Sequence, residues 1–339
     1  MEGMYYIGKL EEFERILADR PLDEIWNDLL KLADFHYLRP RWKDHSEEDY
    51  TVVSTYIRQA NEYYKASNNV SLLTKPVLTY YSFLNLLKAI LYLKTDVHPS
   101  KYHGLGNFVT SDSLLDITIM SNDGIFSDLS KLIGCNINAK SKFSLEDFIF
   151  NTIELIPAYT EYFQKGTNII SPEVIIYTPG DIRIIFHTPM LLGKTREQFI
   201  EYLSNTTRIL EDFEETLIKE HLELKLNYSM SYKSIKDVGI PLMKKHFIFS
   251  SFPDMSYYMN LNPFDKRINP ALAYIGISFI LCSIARYAPN HIDRFVSNKS
   301  TSVKWFFRHL SEITERVFPN LMLDILNDKN HKYASSFPF

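Results

Sequence analysis

Two stretches near opposite ends of the chain, KPVLTYYSFLNLLKAIL at 75–91 and PALAYIGISFILCSIA at 270–285, are too apolar to face water along any side. A helix that is apolar all round belongs in a protein interior or in a lipid bilayer. The second stretch runs uncharged for 16 residues, short of the roughly 20 that a bilayer crossing needs, and it carries Tyr274, Ser278 and Ser283. Both stretches are therefore predicted to be core helices, no membrane contact is expected, and the two ends of the polypeptide should share one interior. The first stretch nonetheless keeps Asn85 and Lys88, three residues apart and hence on one face. Burial makes such groups costly unless each finds a partner.

Composition fits that interior. With 45% apolar residues, and 23 Phe and 22 Tyr against only 11 Gly in 339 residues, the chain is built for a dense, aromatic-rich body, one large domain or two intimately packed ones. A net charge of −4, from 37 basic and 41 acidic residues, gives no whole-molecule attraction to nucleic acid, though a local basic patch stays open. Cys135 and Cys282 lie far apart and form no CxxC, so neither a metal site nor a disulfide framework is expected, and a reducing compartment fits. The opening MEGMYYIGKLEEFERIL lacks a basic segment followed by an apolar block, so a cytoplasmic protein is expected.

Spacing of apolar residues predicts a pair of helices across 8–34, broken at Asp19-Arg20-Pro21, and a third from Tyr50 to Ala66. A helix follows over 76–93, then a long loop of about twenty residues through HGLG at 103–106, and helical pattern again over 144–165. Two β-branched runs around Thr178-Pro179-Gly180-Asp181 predict a hairpin over 172–189. A helix over 194–219 and strands within 221–233, 245–252 and 256–262 come next, then helices over 270–287, 301–317 and 319–327. The fold class expected is α+β, a predominantly helical body with a small antiparallel β-sheet inserted in the middle of the chain. Its parts are an N-terminal helical part (1–170), a β-rich insert with one helix (171–262) and C-terminal helices that complete the body (263–339).

KPVLTYYSFLNLLKAIL followed by HGLG, the segment DGIFSDL at 123–129, and NPALAYIGISFILCSIARYAPNHI at 269–292 together resemble the YaaC-like family of bacterial proteins. The similarity runs over most of the chain in the same order. It implies a bacterial, cytoplasmic, largely helical protein and a part in bacterial defence, and it leaves the chemistry open.

Four constellations bear on chemistry. Asn85, Lys88, His103 and Arg286 would converge on an anionic ligand, a carboxylate or a phosphate, if the two apolar helices are neighbours; the alternative is a buried hydrogen-bond network, or a Lys88 whose stem covers apolar surface. Gly104 and Gly106 would let a backbone approach a ligand closely, but HGLG is no phosphate-binding fingerprint. Arg286 and His291, in RYAPNH, have the spacing used by HEPN ribonucleases, which would make His291 a general base or acid and Arg286 the phosphate holder. Pro289 between them argues that a helix ends there and that the two need not face the same way. Asp181, Glu223 and Lys225 suggest a metal-dependent nuclease, although alternation with Leu222, Leu224 and Leu226 explains the latter two as a solvated strand face. There is no GxSxG, and Cys282 sits mid-helix among apolar residues, where its thiol pKa would rise.

Three functional readings follow. The first is a protein acting through assembly, with a protein partner or as a homo-oligomer, in a defence system and with no cofactor. The second is a HEPN-like ribonuclease or nucleotide-processing enzyme using Arg286 and His291 on RNA or a nucleotide. The third is a sensor of small anions or nucleotides using Asn85, Lys88, His103 and Arg286.

Overall fold

The computed structural model describes residues 5–6, 13–95, 98–135, 137–178, 181–216, 221–226, 248–249, 257–262, 267–296 and 301–334. The chain forms two compact units. One comprises Phe13–Gln164 with Ile268–Phe339, the other Met1–Glu12 with Lys165–Arg267.

In chain order the first unit is built from β1 (Phe13–Leu17), α1 (Pro21–Leu30), α2 (Glu47–Ser67), α3 (Lys75–Thr95), β2 (His103–Val109), β3 (Thr118–Gly124), α4 (Ile125–Leu132), β4 (Lys142–Ser144), α5 (Leu145–Ile149) and α6 (Ile156–Phe163). It closes with α7 (Pro270–Tyr287), α8 (Pro289–Val296), α9 (Thr301–Asn327) and β5 (Asn330–Ala334). The two apolar stretches are α3 and α7, and both lie in one core with Leu29, Ile57, Leu129, Phe148 and Phe306. By length and composition each is apolar enough to cross a bilayer, but 78% and 72% of their apolar windows are buried inside this unit. They touch through Tyr80 and Phe279, whose ring centroids are 5.5 Å apart, edge to face. On another side of α3, Phe83 stacks on Phe318 of α9 at 4.4 Å.

Local signals set the ends of these helices. Ser46 and Asp49 form a reciprocal capping box at the start of α2, followed by Glu47 and Glu48 in its first turn, where the helix dipole favours negative charge. The Asn269 side chain accepts from the Ala271 N–H and so caps α7, with Pro270 at its first position. Where α3 meets α9, Lys75 Nζ lies 2.8 Å from Glu315 Oε2 and Thr79 Oγ1 donates to Glu315 Oε1 at 2.8 Å. Glu315 is 5% exposed. Burial pushes its carboxyl pKa up, against the pull of Lys75 and Thr79.

The expected loop over 103–110 is instead strand β2, paired antiparallel with β3, which pairs in turn with β4. Its glycines serve a cross-strand contact. Gly104 has φ +77° and Gly124 +146°, and a Cβ on Gly124 would stand 2.5 Å from the Gly104 nitrogen. Only two residues without side chains let these backbones meet. The segment expected to open a helix at residue 8 is strand over Phe13–Leu17, and it pairs in parallel with Asn330–Ala334. Residues 8–12 of that expected helix lie outside the described residues. The helical pattern over 144–165 divides into α5, a short 3-10 turn at Ile153–Leu155 and α6, whose second residue is Pro157. The two helices expected over 301–327 are one, running through Pro319.

In the second unit a five-stranded antiparallel sheet runs in the order Tyr5–Tyr6, Glu173–Thr178, Asp181–Phe186, Leu222–Leu226 and Phe213–Thr216. The hairpin expected over 172–189 is thus present, with Pro179 and Gly180 of its turn outside the described residues. The helix expected over 194–219 ends at Thr206, beyond which Phe213–Thr216 joins the sheet edge. Phe186, Phe199, Leu203 and Leu224 form the core between that helix and the sheet. Ile169–Ile170, Tyr257–Asn260 and Ile248–Phe249 make a second, three-stranded sheet. The strand residues expected over 227–233, 245–247 and 250–252 fall outside the described residues. Architecture of the α+β class, mainly helical with small antiparallel sheets, is the result.

Gly276 tests the packing of α7. A Cβ there would come within 2.5 Å of Phe148 Cζ, so Gly276→Ala should lower the unfolding free energy by about 1–3 kcal/mol through overpacking, despite its gain in helix propensity. Denaturant unfolding measures this, and the double variant with Phe148→Leu should recover part of the loss.

Candidate functional site

On α3, Tyr81, Asn85 and Lys88 follow one another at four and three residues and share a face. Asn85 is 8% exposed, and its Nδ2 donates to the Tyr81 carbonyl at 2.9 Å, so the amide is tied to its own helix. Lys88 is half-buried. Its Nζ stands 5.6 Å from the centroid of the Tyr56 ring on α2, and burial lowers its pKa. Among the described residues no carboxylate pairs with it.

His103 opens β2. Its Nδ1 lies 2.7 Å from Tyr80 Oη, and its ring is stacked 5.5 Å from the Tyr80 ring and edge-on to Tyr81 at 6.4 Å. Burial holds the Tyr80 hydroxyl well above its ordinary pKa, so it keeps its proton and donates to Nδ1, which leaves hydrogen on Nε2 of the neutral ring. Burial first, and then the positive charges of Lys88 and Arg286, lower the His103 pKa. Tyr81 joins two of these groups in space, since its ring lies edge-on to His103 and its hydroxyl accepts from Arg286.

Arg286 ends α7, exposed, at the negative end of the helix dipole. Its Nη1 donates to Tyr81 Oη at 3.4 Å, and its guanidinium carbon lies 4.7 Å from the centroid of Tyr287. One turn earlier, Cys282 is pushed up to about 11 by burial, with Arg286 opposing. Such a thiol is a poor nucleophile. Elsewhere many basic side chains are spent on carboxylates: Lys75 on Glu315, Arg196 on Glu215, Arg294 on Asp112. Among the described residues Lys88 and Arg286 are not.

His291 is on the next helix. Pro289 begins α8 after Ala288 has closed α7, so Arg286 and His291 occupy different helices. The His291 Nδ1 is buried without a hydrogen-bond partner, its ring is 6.2 Å from Phe295, and no hydrogen bond or ring contact among the described residues joins it to Arg286.

In the second unit, Asp181 takes two hydrogen bonds from Arg183, at 3.0 and 3.1 Å, which lower its pKa. Glu223 accepts from Arg183 Nη1 at 3.3 Å and from Thr216 Oγ1 at 2.8 Å, and is 3% exposed. The expected solvated face at Glu223 is therefore a buried one, neutralised by an arginine on the neighbouring strand. Among the described residues no group of three or more His, Cys, Asp or Glu could hold a metal ion.

The tyrosines around the basic group escaped the sequence reading: Tyr56 and Tyr63 on α2, Tyr80 and Tyr81 on α3. A signal was present, since Tyr56 and Tyr63, like Tyr81 and Lys88, stand two helical turns apart and so share a face.

A family model described as YaaC-like Protein matches residues 29–326, most of the chain. No curated protein and no solved structure matches it.

Because the folded state depresses the His103 pKa, the unfolded chain binds this proton more readily, and the stability that neutral His103 contributes is present above about 6.5 and lost as pH falls through that value. Replacing either neighbouring cation, by Lys88→Met or Arg286→Met, should raise the His103 titration midpoint. Proton NMR of the imidazole measures it; a midpoint unmoved by both substitutions contradicts the electrostatic grouping.

Proposed function

The chain belongs to the YaaC-like family, and we propose that its first unit is a binding module for a small anion, a carboxylate or a phosphate, seated between Lys88 and Arg286 beside the His103 ring. The observation that carries this reading is that His103 and Arg286 both meet Tyr81, on the helix that also carries Lys88, while among the described residues neither cation pairs with a carboxylate. Assembling like charges costs free energy in a partly desolvated place, and an arriving anion relieves it. Arg286 supplies a planar fork of donors, Lys88 a mobile point charge and His103 an Nε2 hydrogen. Each comes from a different element, so a bound anion ties α3, β2 and α7 together, which suits a sensor.

Action through protein assembly, with a part in defence, has thinner support. Exposed Tyr102, Tyr287 and Trp305 lie on separate elements. The ribonuclease reading needs Arg286 and His291 at one phosphate, and no hydrogen bond or ring contact among the described residues joins the two.

Thermal unfolding across inorganic phosphate, pyrophosphate and succinate tests the reading. A ligand present at about 100 times its dissociation constant adds about 2.7 kcal/mol. Lys88→Met and Arg286→Met should each remove most of that gain, and the binding should weaken as salt rises. Absence of a gain with every anion, or a gain that survives both substitutions, refutes the site.

A further inference from the structure

We infer that the anion is the phosphate of a nucleotide whose base lies on tyrosine faces beside the cations; this rests on the anion-binding reading above. A bare phosphate or simple carboxylate is recognised by charge and donors alone and gains nothing from aromatic surface. Here every cation has an aromatic companion. Lys88 stands over Tyr56, Arg286 over Tyr287 while also reaching Tyr81, and His103 packs against Tyr80 and Tyr81. Tyr63 and Tyr81 add a tilted pair of rings 5.8 Å apart at 32°.

These rings are not all core. Tyr63 is 36% exposed and Tyr287 63%, so part of each side chain is accessible to a ligand. Tyr81, half-buried, joins the two features, since its ring meets Tyr63 while its hydroxyl accepts from Arg286. Aromatic faces stack any base, and an arginine beside them both stacks and holds phosphate through its fork. A flat aromatic group joined to a negative charge matches this surface, and a nucleotide is that combination. The same unit occurs free or within a single strand of nucleic acid. The overall charge of −4 opposes a polymer held by charge alone, but not recognition of one or two nucleotides.

Calorimetric titration of the full chain at fixed low salt compares inorganic phosphate, ribose 5-phosphate, AMP and a single-stranded tetranucleotide. AMP should bind at least about fivefold more tightly than ribose 5-phosphate, the lower end of what base stacking contributes. Tyr63→Ala, on an exposed ring that leaves the core intact, should erase much of that preference while ribose 5-phosphate stays within about twofold; Tyr287→Ala serves as the second stacking variant. Arg286→Met should weaken both ligands together. Equal affinity for AMP and ribose 5-phosphate, or a preference that survives both tyrosine substitutions, overturns the nucleotide inference and leaves the anion site standing. Failure of every phosphate-bearing ligand to bind overturns both. A tetranucleotide that binds more tightly than its number of sites explains identifies a strand as the source, whereas equal affinity per nucleotide identifies the free molecule; either supports nucleotide recognition.

Discussion

Contact between α3 and α7 is the constraint on which the first unit depends. Both helices are buried along most of their length, so neither can be exposed without a large hydrophobic cost, at about 25 cal/mol for each Å² of apolar surface. Their residues lie nearly two hundred positions apart. Close approach is enforced at small residues: Gly276 leaves room for the Phe148 ring against the α7 backbone. Everything at the candidate site follows from this pairing, because Lys88 rides on one helix and Arg286 on the other.

An aromatic core built with so many tyrosines must also satisfy their hydroxyls. Three do so with carboxylates. Tyr92 donates to Asp49, Tyr159 to Glu146 at 2.6 Å and Tyr274 to Glu154 at 2.8 Å. Burial and the acceptor's charge push the Tyr92 pKa up to about 12, while the Asp49 carboxyl, stabilised chiefly by that hydroxyl, falls to about 2. Tyr50 and Tyr202 donate to main-chain carbonyls, and Tyr80 is bonded to the neutral imidazole of His103. A carboxylate in that position would have neutralised Lys88 and Arg286. With histidine there, the hydroxyl is satisfied and the positive field is kept.

Much of this was legible in the sequence. The two apolar stretches, the helix over 47–67 and the hairpin at 173–186 carry strong periodicity or turn chemistry, and they fold as read. Strand β1 was misread because FERIL has helix-like spacing and is strand only by pairing with Asn330–Ala334, over three hundred residues away. The HGLG segment misled in another way, since glycines that mark loops also permit two strands to cross closely. At the site, the sequence indicated Lys88, His103 and Arg286 because charge within apolar stretches stands out. It did not indicate the tyrosines, because in a chain with 22 of them one more aromatic at helical spacing reads as core.

Among the described residues no carboxylate pairs with Lys88 or Arg286. The buried acids at Glu315 and Glu223 each face a basic partner, so the fold neutralises charge where charge is only structural. Desolvation lowers the Lys88 pKa and no anion of the protein offsets it. Replacing Lys88 by an apolar residue of similar volume would therefore cost the folded protein little and could stabilise it, since a half-buried cation without a partner works against folding.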